Sequence, residues 1–237
     1  MSEHNNYDVV IFDMDGTLCD TREAIVTAMQ AALEKLAAPE RSVSRTAIEQ
    51  QVAAGSTLSQ VFAALSAVAL EPDELEHRNA IYRELYADIG VRHTRLFPGV
   101  EPAIAALRAR GVACVVLSNK GETALRRTLG HLNVEASFAL IIGEQRNLAT
   151  KPSPEVFLQL IRPQFPATAL RRFLMVGDTE ADIKFAANAR IASCWAQYGY
   201  GIADACRLLS PDHRIEAIGQ LPDLVAANAP SPPRIPC

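Results

Sequence analysis

The sequence has few of the features that mark proteins of membranes, nucleic acids or the cell exterior. No apolar run reaches the roughly 18–20 residues that a membrane span needs. Lysine and arginine form no run, and 23 basic against 27 acidic residues leave a net charge of −4, which disfavours nucleic acid as the main partner. The polar start of the chain, residues 1–8, lacks the apolar stretch of a signal peptide. We therefore expect a cytoplasmic protein with neither a membrane nor a nucleic-acid partner.

The five cysteines form no Cys-x-x-Cys pair, and an odd number cannot all pair within one chain. Reduced thiols in a cytoplasmic protein are the simplest interpretation. Cys114 and Cys194 stand inside apolar runs and are predicted to be core residues. The proline-rich residues 229–237 are expected to be extended or disordered. At 237 residues the chain can bury a sizeable core without a metal or disulfide.

Short apolar runs alternate with helical patterns along most of the chain. A run that ends in acidic residues and glycine, such as residues 7–12, is typical of a buried strand that leads into a loop. The predicted strands are residues 7–12, 112–117, 138–142, 173–176 and 191–195. Strands that alternate with helices at these lengths predict a parallel α/β sheet with right-handed crossovers.

One stretch, residues 21–90, contains no strand candidate. Apolar residues at helical spacing predict three helices there, over residues 24–36, 61–68 and 75–89. We expect a small all-helical domain, residues 19–94, inserted into an α/β core made of residues 1–18 and 95–237. Because two chain crossings join the parts, they can move about a hinge.

The sharpest motif is Asp-Met-Asp-Gly-Thr, residues 13–17, at the end of the first predicted strand. Ligands of open α/β sheets bind at the carboxyl ends of the strands. Asp13 and Asp15 would point to opposite sides of a regular strand, so a loop must bring both to one site, and Gly16 permits that turn.

Three more polar groups follow predicted strands. Ser118 offers a hydroxyl and neighbouring loop N–H groups for phosphate oxygens. Lys151, fixed by the proline that follows it, offers a point charge for an anion. Asp178 and Asp182 lie one helical turn apart, and their carboxylates suit a hard divalent cation, most simply Mg²⁺. Taken singly, each has a common structural explanation; together they equip a site for phosphoryl transfer through an aspartyl-phosphate.

These four motifs, in order over residues 9–183, resemble those of the haloacid dehalogenase superfamily of phosphohydrolases. The resemblance implies a Rossmann-like, three-layer α/β/α core with a helical cap, and it implies roles for individual residues. Asp13 would be the nucleophile and Asp15 the general acid and base. Asp13, Asp178 and the carbonyl of Asp15 would bind Mg²⁺. The remaining implied roles are phosphate binding by Ser118, Asn119 and Lys151, and support of the site by Asp182 and Thr17.

Within the superfamily, the sequence resembles the phosphoglycolate phosphatase branch. The features that carry this are residues 52–58, with Gly55 and Ser56 as a candidate substrate loop, and residues 97–100, 118–120 and 198–201. Arg190 is a departure, since relatives usually have glycine there. The resemblance implies a Mg²⁺-dependent phosphatase for a small phosphorylated metabolite, with phosphoglycolate as the first candidate, acting as a monomer or homodimer.

Other activities remain open. A nucleotidase, a pyrophosphatase and a sugar-phosphate mutase share the same four motifs. A phospho-acceptor signalling domain also uses an aspartate and Mg²⁺ at a sheet edge, but it has no use for Asp15 or for the helical insert. A binding protein without activity would be expected to lose one of the four motifs, and this sequence retains them all.

Overall fold

The structure, a computed structural model, describes residues 7–36, 43–145 and 147–227. Its centre is a six-stranded sheet in which every neighbouring pair is parallel, in the order β5-β4-β1-β6-β7-β8. The strands are β1 (Val9–Phe12), β4 (Ala113–Gly121), β5 (Leu140–Glu144), β6 (Phe173–Gly177), β7 (Ala192–Ala196) and β8 (His213–Ile215). The predicted parallel α/β sheet is confirmed, and β8 adds a strand that the sequence analysis missed.

Hydrophobic cores cover both faces of the sheet. Val10 and Phe12 of β1 point into one core, whereas Val9 and Ile11 point into the other. The first core includes buried residues of α5 (Val100–Ala109), α6 (Glu122–His131) and α9 (Leu221–Ala227). The second includes α7 (Glu180–Ala189) and a π-helical turn, Phe157–Ile161. A strand buried on both faces is apolar throughout, as the Val-Val-Ile-Phe sequence of β1 shows.

Four helices lie between the short antiparallel strands β2 (Cys19–Asp20) and β3 (Arg95–Leu96). They are α1 (Arg22–Lys35), α2 (Arg45–Ala53), α3 (Leu58–Leu65) and α4 (Pro72–His93). Their apolar faces form a hydrophobic core of their own, including Met29, Phe62 and Tyr82. We call these four helices the helical insert. Because β2 and β3 pair with each other, the chain leaves the core and returns to it at the same place.

Two details of the insert differ from the sequence-based prediction. The second helix, predicted over residues 61–68, is α3 at Leu58–Leu65, and Val68 is exposed. The helix α2, in which Ile48 is the buried residue, was not predicted. A helix with so little buried surface leaves a weak apolar pattern.

Cys19, Cys114, Cys194 and Cys206 are buried free thiols, which confirms the core placement of Cys114 and Cys194. Residues 229–237, for which an extended tail was expected, lie outside the described residues. Within the described ranges, no helix has the length and apolar character needed to cross a bilayer.

Candidate active site

The four motifs meet at the carboxyl edge of the sheet. Asp13 directly follows β1, and its backbone N–H continues the strand ladder by donating to the carbonyl of Val176 at 2.9 Å. Asp178 directly follows β6, and Ser118 lies in the second half of β4. Lys151 is brought to the same edge by the loop after β5. The sequence-based expectation that these residues converge agrees with their places in the structure.

Lys151 is the centre of the site. Its Nζ donates to Oδ1 of Asp13 and to Oδ1 of Asp182, both at 2.6 Å. All three side chains are at least nine-tenths buried. Burial opposes the ammonium charge, but the attraction of Asp13 and Asp182 prevails and raises the pKa of Lys151. The lysine therefore remains a cation that fixes two carboxylates.

Asp182 owes its position to the start of α7. Its Oδ2 accepts hydrogen bonds from the backbone N–H of Thr179 at 3.0 Å and from the Thr179 hydroxyl at 2.7 Å. These contacts are part of a capping box, in which the first residues of a helix satisfy each other's unpaired donors. The helix cap thus orients the carboxylate whose other oxygen binds Lys151.

Asp178 is completely buried and held on both sides. The hydroxyl of Thr17 donates to its Oδ1 at 3.0 Å, and the backbone N–H of Tyr200 donates to its Oδ2 at 2.7 Å. Gly16, Gly199 and Gly201 leave room for this residue, since a Cβ on any of them would collide with Asp178. Gly16 also has a φ of +88°, so glycine is favoured there for its backbone as well.

Asp13, Asp178 and Asp182 form a cluster whose carboxylate oxygens lie within 4.8 Å of one another. Burial, and next the nearby charge of Asp182, raise the pKa of Asp178 to about 7. Burial also outweighs Lys151 and raises the pKa of Asp13. Buried carboxylates that repel one another need a cation, and oxygen donors suit Mg²⁺. The cluster therefore fits a divalent metal.

Asp15 points into the same cavity as Asp13 but has a different partner. Both oxygens of its carboxylate accept from Nζ of Lys120, at 2.8 and 3.0 Å. Lys120 was not predicted as a site residue, although it directly follows Ser118 and Asn119 in the sequence. Lys120 and Lys151 face Asp13, Asp15, Asp178 and Asp182. When all four carboxylates are ionised, the excess of two formal negative charges matches one divalent cation.

Asn119 contacts the backbone on both sides of the site. Its Oδ1 accepts from the Lys151 N–H at 3.0 Å, and its Nδ2 donates to the Lys151 carbonyl at 3.1 Å. A longer bond of 3.5 Å reaches the carbonyl of Gly55 in the helical insert. Asn119 thus fixes the loop that carries Lys151, and direct phosphate binding by Asn119 and Ser118 stays a prediction.

A cavity of about 840 Å³ lies between the helical insert and the sheet edge and reaches Asp13, Asp15 and Lys151. Gly55 and Ser56 line it from the insert, where the sequence predicted a substrate loop. Gly55 has a φ of +71°, and a Cβ there would lie 2.9 Å from Oγ1 of Thr179, the partner of Asp182. The loop therefore packs directly against the residues that shape the site.

Fold and site together define an α/β protein with a buried acidic site, suited to a divalent cation, beneath a helical insert. The chain belongs to the haloacid dehalogenase-like hydrolase family, which it matches over residues 10–196. A solved haloacid dehalogenase-like hydrolase from Bacteroides fragilis superposes with a TM-score of 0.82 at 27% identity, covering 91% of this chain and 99% of that one.

Two relatives match most of the chain. Phosphoglycolate phosphatase of Aquifex aeolicus is 29% identical over 192 residues, which are 81% of this chain and 85% of that protein. Tyrosine-protein kinase PtkA of Mycobacterium tuberculosis is 31% identical over 196 residues, 83% of this chain. The matched region spans only 64% of PtkA. The match to phosphoglycolate phosphatase confirms the resemblance to that branch which the motifs suggested.

Proposed function

We propose that this protein is a Mg²⁺-dependent phosphatase that hydrolyses a small phosphorylated metabolite through an aspartyl-phosphate. One observation carries the proposal. The Asp13 carboxylate is fixed by Lys151 beside two further carboxylates, while the Asp15 carboxylate, two residues on, opens into the same cavity. A nucleophile beside a separate acid/base group is what hydrolysis by way of a covalent intermediate needs.

The reaction divides into two half-reactions. In the first, a carboxylate oxygen of Asp13 attacks phosphorus, the bond to the leaving oxygen breaks, and protonated Asp15 gives that oxygen a proton. In the second, the Asp15 carboxylate takes a proton from water, whose oxygen attacks phosphorus and releases Asp13 and inorganic phosphate. Lys151 lies at the attacked phosphoryl group and offsets its charge, because its ammonium already binds Asp13.

Asp13 and Asp178 would hold Mg²⁺, with Asp182 beside them. The backbone carbonyl of Asp15 is predicted to be a further ligand. When bound, the ion supplies charge that offsets the phosphoryl oxygens. The remaining residues prepare that site: Thr17 and Tyr200 fix Asp178 from two sides.

Phosphoglycolate is our first candidate substrate. The similarity to phosphoglycolate phosphatases over most of the chain supports it. A nucleotidase, a pyrophosphatase and a sugar-phosphate mutase of the same superfamily are the alternatives. We further propose that the protein is cytoplasmic, which is in keeping with its four buried free thiols. We also propose that it acts as a monomer or homodimer.

The similarity to the tyrosine-protein kinase PtkA suggests a different activity. A kinase would transfer phosphate from ATP to tyrosine, whereas the proposed phosphatase releases phosphate to water. Asp15 is compatible with both activities, because a kinase also needs a group that takes the proton of the tyrosine hydroxyl. The match favours the phosphatase, since it covers 85% of the phosphoglycolate phosphatase but 64% of PtkA. An assay with labelled ATP and a tyrosine peptide separates the two.

The decisive experiment measures phosphate release from a panel of substrates. The panel contains 2-phosphoglycolate, nucleoside monophosphates, pyrophosphate and hexose 1-phosphates, each with Mg²⁺ and with excess EDTA. We expect release from a small phosphate ester with Mg²⁺, and none with EDTA or with the Asp13→Asn variant. Isomerised sugar phosphate without free phosphate would establish a mutase, and labelled peptide would establish a kinase. Full activity of a verified Asp13→Asn variant would refute the nucleophile.

A further inference from the structure

Lys120 joins the active site to the helical insert. Its ammonium lies 2.9 Å from the hydroxyl oxygen of Tyr86, a residue of α4, in addition to its two contacts with Asp15. Hydrogen bonds therefore connect Tyr86 of the insert, through Lys120 at the end of β4, to Asp15, the proposed acid/base residue. Each link is a hydrogen bond of 3.0 Å or less.

These three hydrogen-bonded side chains are largely shielded from water. The side chain of Lys120 is 11% exposed and that of Asp15 is 20% exposed, and Tyr86 is buried. A hydrogen bond between charged groups is strong when it is buried. If one partner is removed, the other remains buried without a hydrogen bond, which is unfavourable.

The insert is also shaped to place Tyr86. The ring of Tyr86 stacks on that of Tyr82, with centroids 5.5 Å apart, and its face lies 4.3 Å from the Lys120 ammonium. Gly90, one turn further along α4, gives the ring its space, since a Cβ there would lie 2.5 Å from Cε1 of Tyr86. Glycine is unfavourable inside a helix, so this space has an energetic cost.

We propose that Lys120 and Tyr86 are positioning residues for the general-base step, which makes the placement of the helical insert a determinant of phosphoenzyme hydrolysis. This inference rests on the proposed phosphatase function. Lys120 fixes the Asp15 carboxylate through two hydrogen bonds, so that it is in place to take a proton from water while the P–O bond to Asp13 breaks. Tyr86 fixes Lys120, so Asp15 keeps its place only while α4 stays against the core.

The alternative role for Lys120 is direct contact with the substrate, because Lys120 also lines the cavity. The two roles differ in what is lost. A substrate ligand contributes to binding and to the first half-reaction, so its removal raises KM. When the leaving group needs no proton, a positioning residue for Asp15 contributes only to the second half-reaction. Its removal then lowers kcat and leaves formation of the phosphoenzyme intact.

The test is pre-steady-state kinetics with 4-nitrophenyl phosphate at saturating Mg²⁺. This substrate needs little protonation of its leaving group, so the burst of nitrophenolate reports phosphorylation of Asp13 and the later linear phase reports hydrolysis. We expect Lys120→Met to keep the burst rate and to lower the linear rate by about 10²-fold, the scale of a displaced catalytic group. We expect Tyr86→Phe, which keeps the ring, to lower the linear rate by roughly tenfold.

Two comparisons make the result specific. Tyr82→Phe removes the hydroxyl of the ring that stacks on Tyr86. Among the described residues that hydroxyl shows no bond to Lys120, so the variant should preserve the ratio of burst to linear rate. In the double variant, Tyr86→Phe should add little to Lys120→Met, because the two act as one unit. Circular dichroism confirms that each variant is folded.

The outcomes separate this inference from the proposed function. A wild-type protein that forms no phosphoenzyme and releases no phosphate would overturn the proposed function, and this inference with it. An active wild type in which Lys120→Met raises KM and slows the burst would overturn the inference alone. Additive effects in the double variant would do the same, since they would show that Tyr86 acts independently of Lys120.

Discussion

The backbone N–H of Tyr200 donates to Oδ2 of Asp178 at 2.7 Å, while the hydroxyl of the same tyrosine lies at the start of α1. That hydroxyl accepts from the N–H groups of Thr21 at 2.6 Å and Arg22 at 3.0 Å. These are donors that the first turn of a helix leaves unpaired. One residue therefore connects the proposed metal site to the point where the helical insert begins.

We expect Tyr200→Phe to lower the free energy of unfolding by about 1–3 kcal/mol, the cost of unpaired buried donors. Asp178 should keep its bond, because that bond comes from the backbone, so Mg²⁺ affinity should change little. Urea unfolding and Mg²⁺ titration measure the two quantities. Tyr198→Phe is the matched control: it removes one bond, to the Thr17 carbonyl, and should cost less. Equal losses in both variants would contradict the special role of Tyr200.

The placement of the catalytic candidates was predictable, because buried parallel strands are apolar runs and their ends are marked by polar residues. Asp13 and Asp178 illustrate this. The contacts of Tyr86 and Tyr200 were not predictable, since they depend on how the helical insert packs on the core. The strand β8 was missed for a simpler reason: its three residues, His213–Ile215, include two polar ones and form no apolar run.

The acid/base role of Asp15 predicts a dependence on the leaving group. Asp15→Ala should slow hydrolysis of an alkyl phosphate in both half-reactions by about 10²–10⁴-fold, the usual scale for a positioned acid/base group. With an aryl phosphate the first half-reaction should suffer less, since that leaving group departs without a proton. Rapid-quench labelling of the phosphoenzyme measures each step. Wild-type formation and hydrolysis rates with an alkyl phosphate would show that Asp15 has no such role.

The raised pKa of Asp178, about 7 against an ordinary 3.8, predicts how pH affects the metal-free protein. The folded state holds a proton between these values that the unfolded state has released. This contribution to stability is therefore complete below pH 3.8 and is lost as the pH rises to about 7, by at most about 1.4 kcal/mol per pH unit.

Urea unfolding in EDTA from pH 4.5 to 8 measures this loss. Asp178→Asn, which carries no titrating proton at this position, should show a shallower fall than the wild type. Mg²⁺ should raise the wild-type melting temperature more at pH 8 than at pH 6, because the ion and the proton compete for the same carboxylates. Parallel pH profiles for the two proteins would contradict the assignment to Asp178.

Arg190 ends α7 in a left-handed conformation, with φ of 56° and ψ of 41°. This conformation strains residues with a Cβ by about 1–2 kcal/mol, and glycine avoids the strain. Because Arg190 is exposed, its replacement removes little packing. We expect Arg190→Gly to raise the free energy of unfolding by roughly 1 kcal/mol with unchanged turnover. Arg190→Ala keeps the Cβ and should bring no such gain, so equal stabilisation by both would locate the effect elsewhere.

Gly90 offers a test of the space that α4 reserves for Tyr86. Glycine to alanine inside a helix ordinarily adds about 0.5–1 kcal/mol of stability, but overpacking costs about 1–3 kcal/mol. Because the new Cβ would lie 2.5 Å from the Tyr86 ring, we expect Gly90→Ala to destabilise the protein, with slower turnover. Gly130→Ala in α6 is the control: its Cβ would meet only the flexible end of Glu135, at 3.3 Å, and it should stabilise. Thermal unfolding of both variants decides the matter, and a stabilised, fully active Gly90→Ala protein would mean that the position of Tyr86 does not matter.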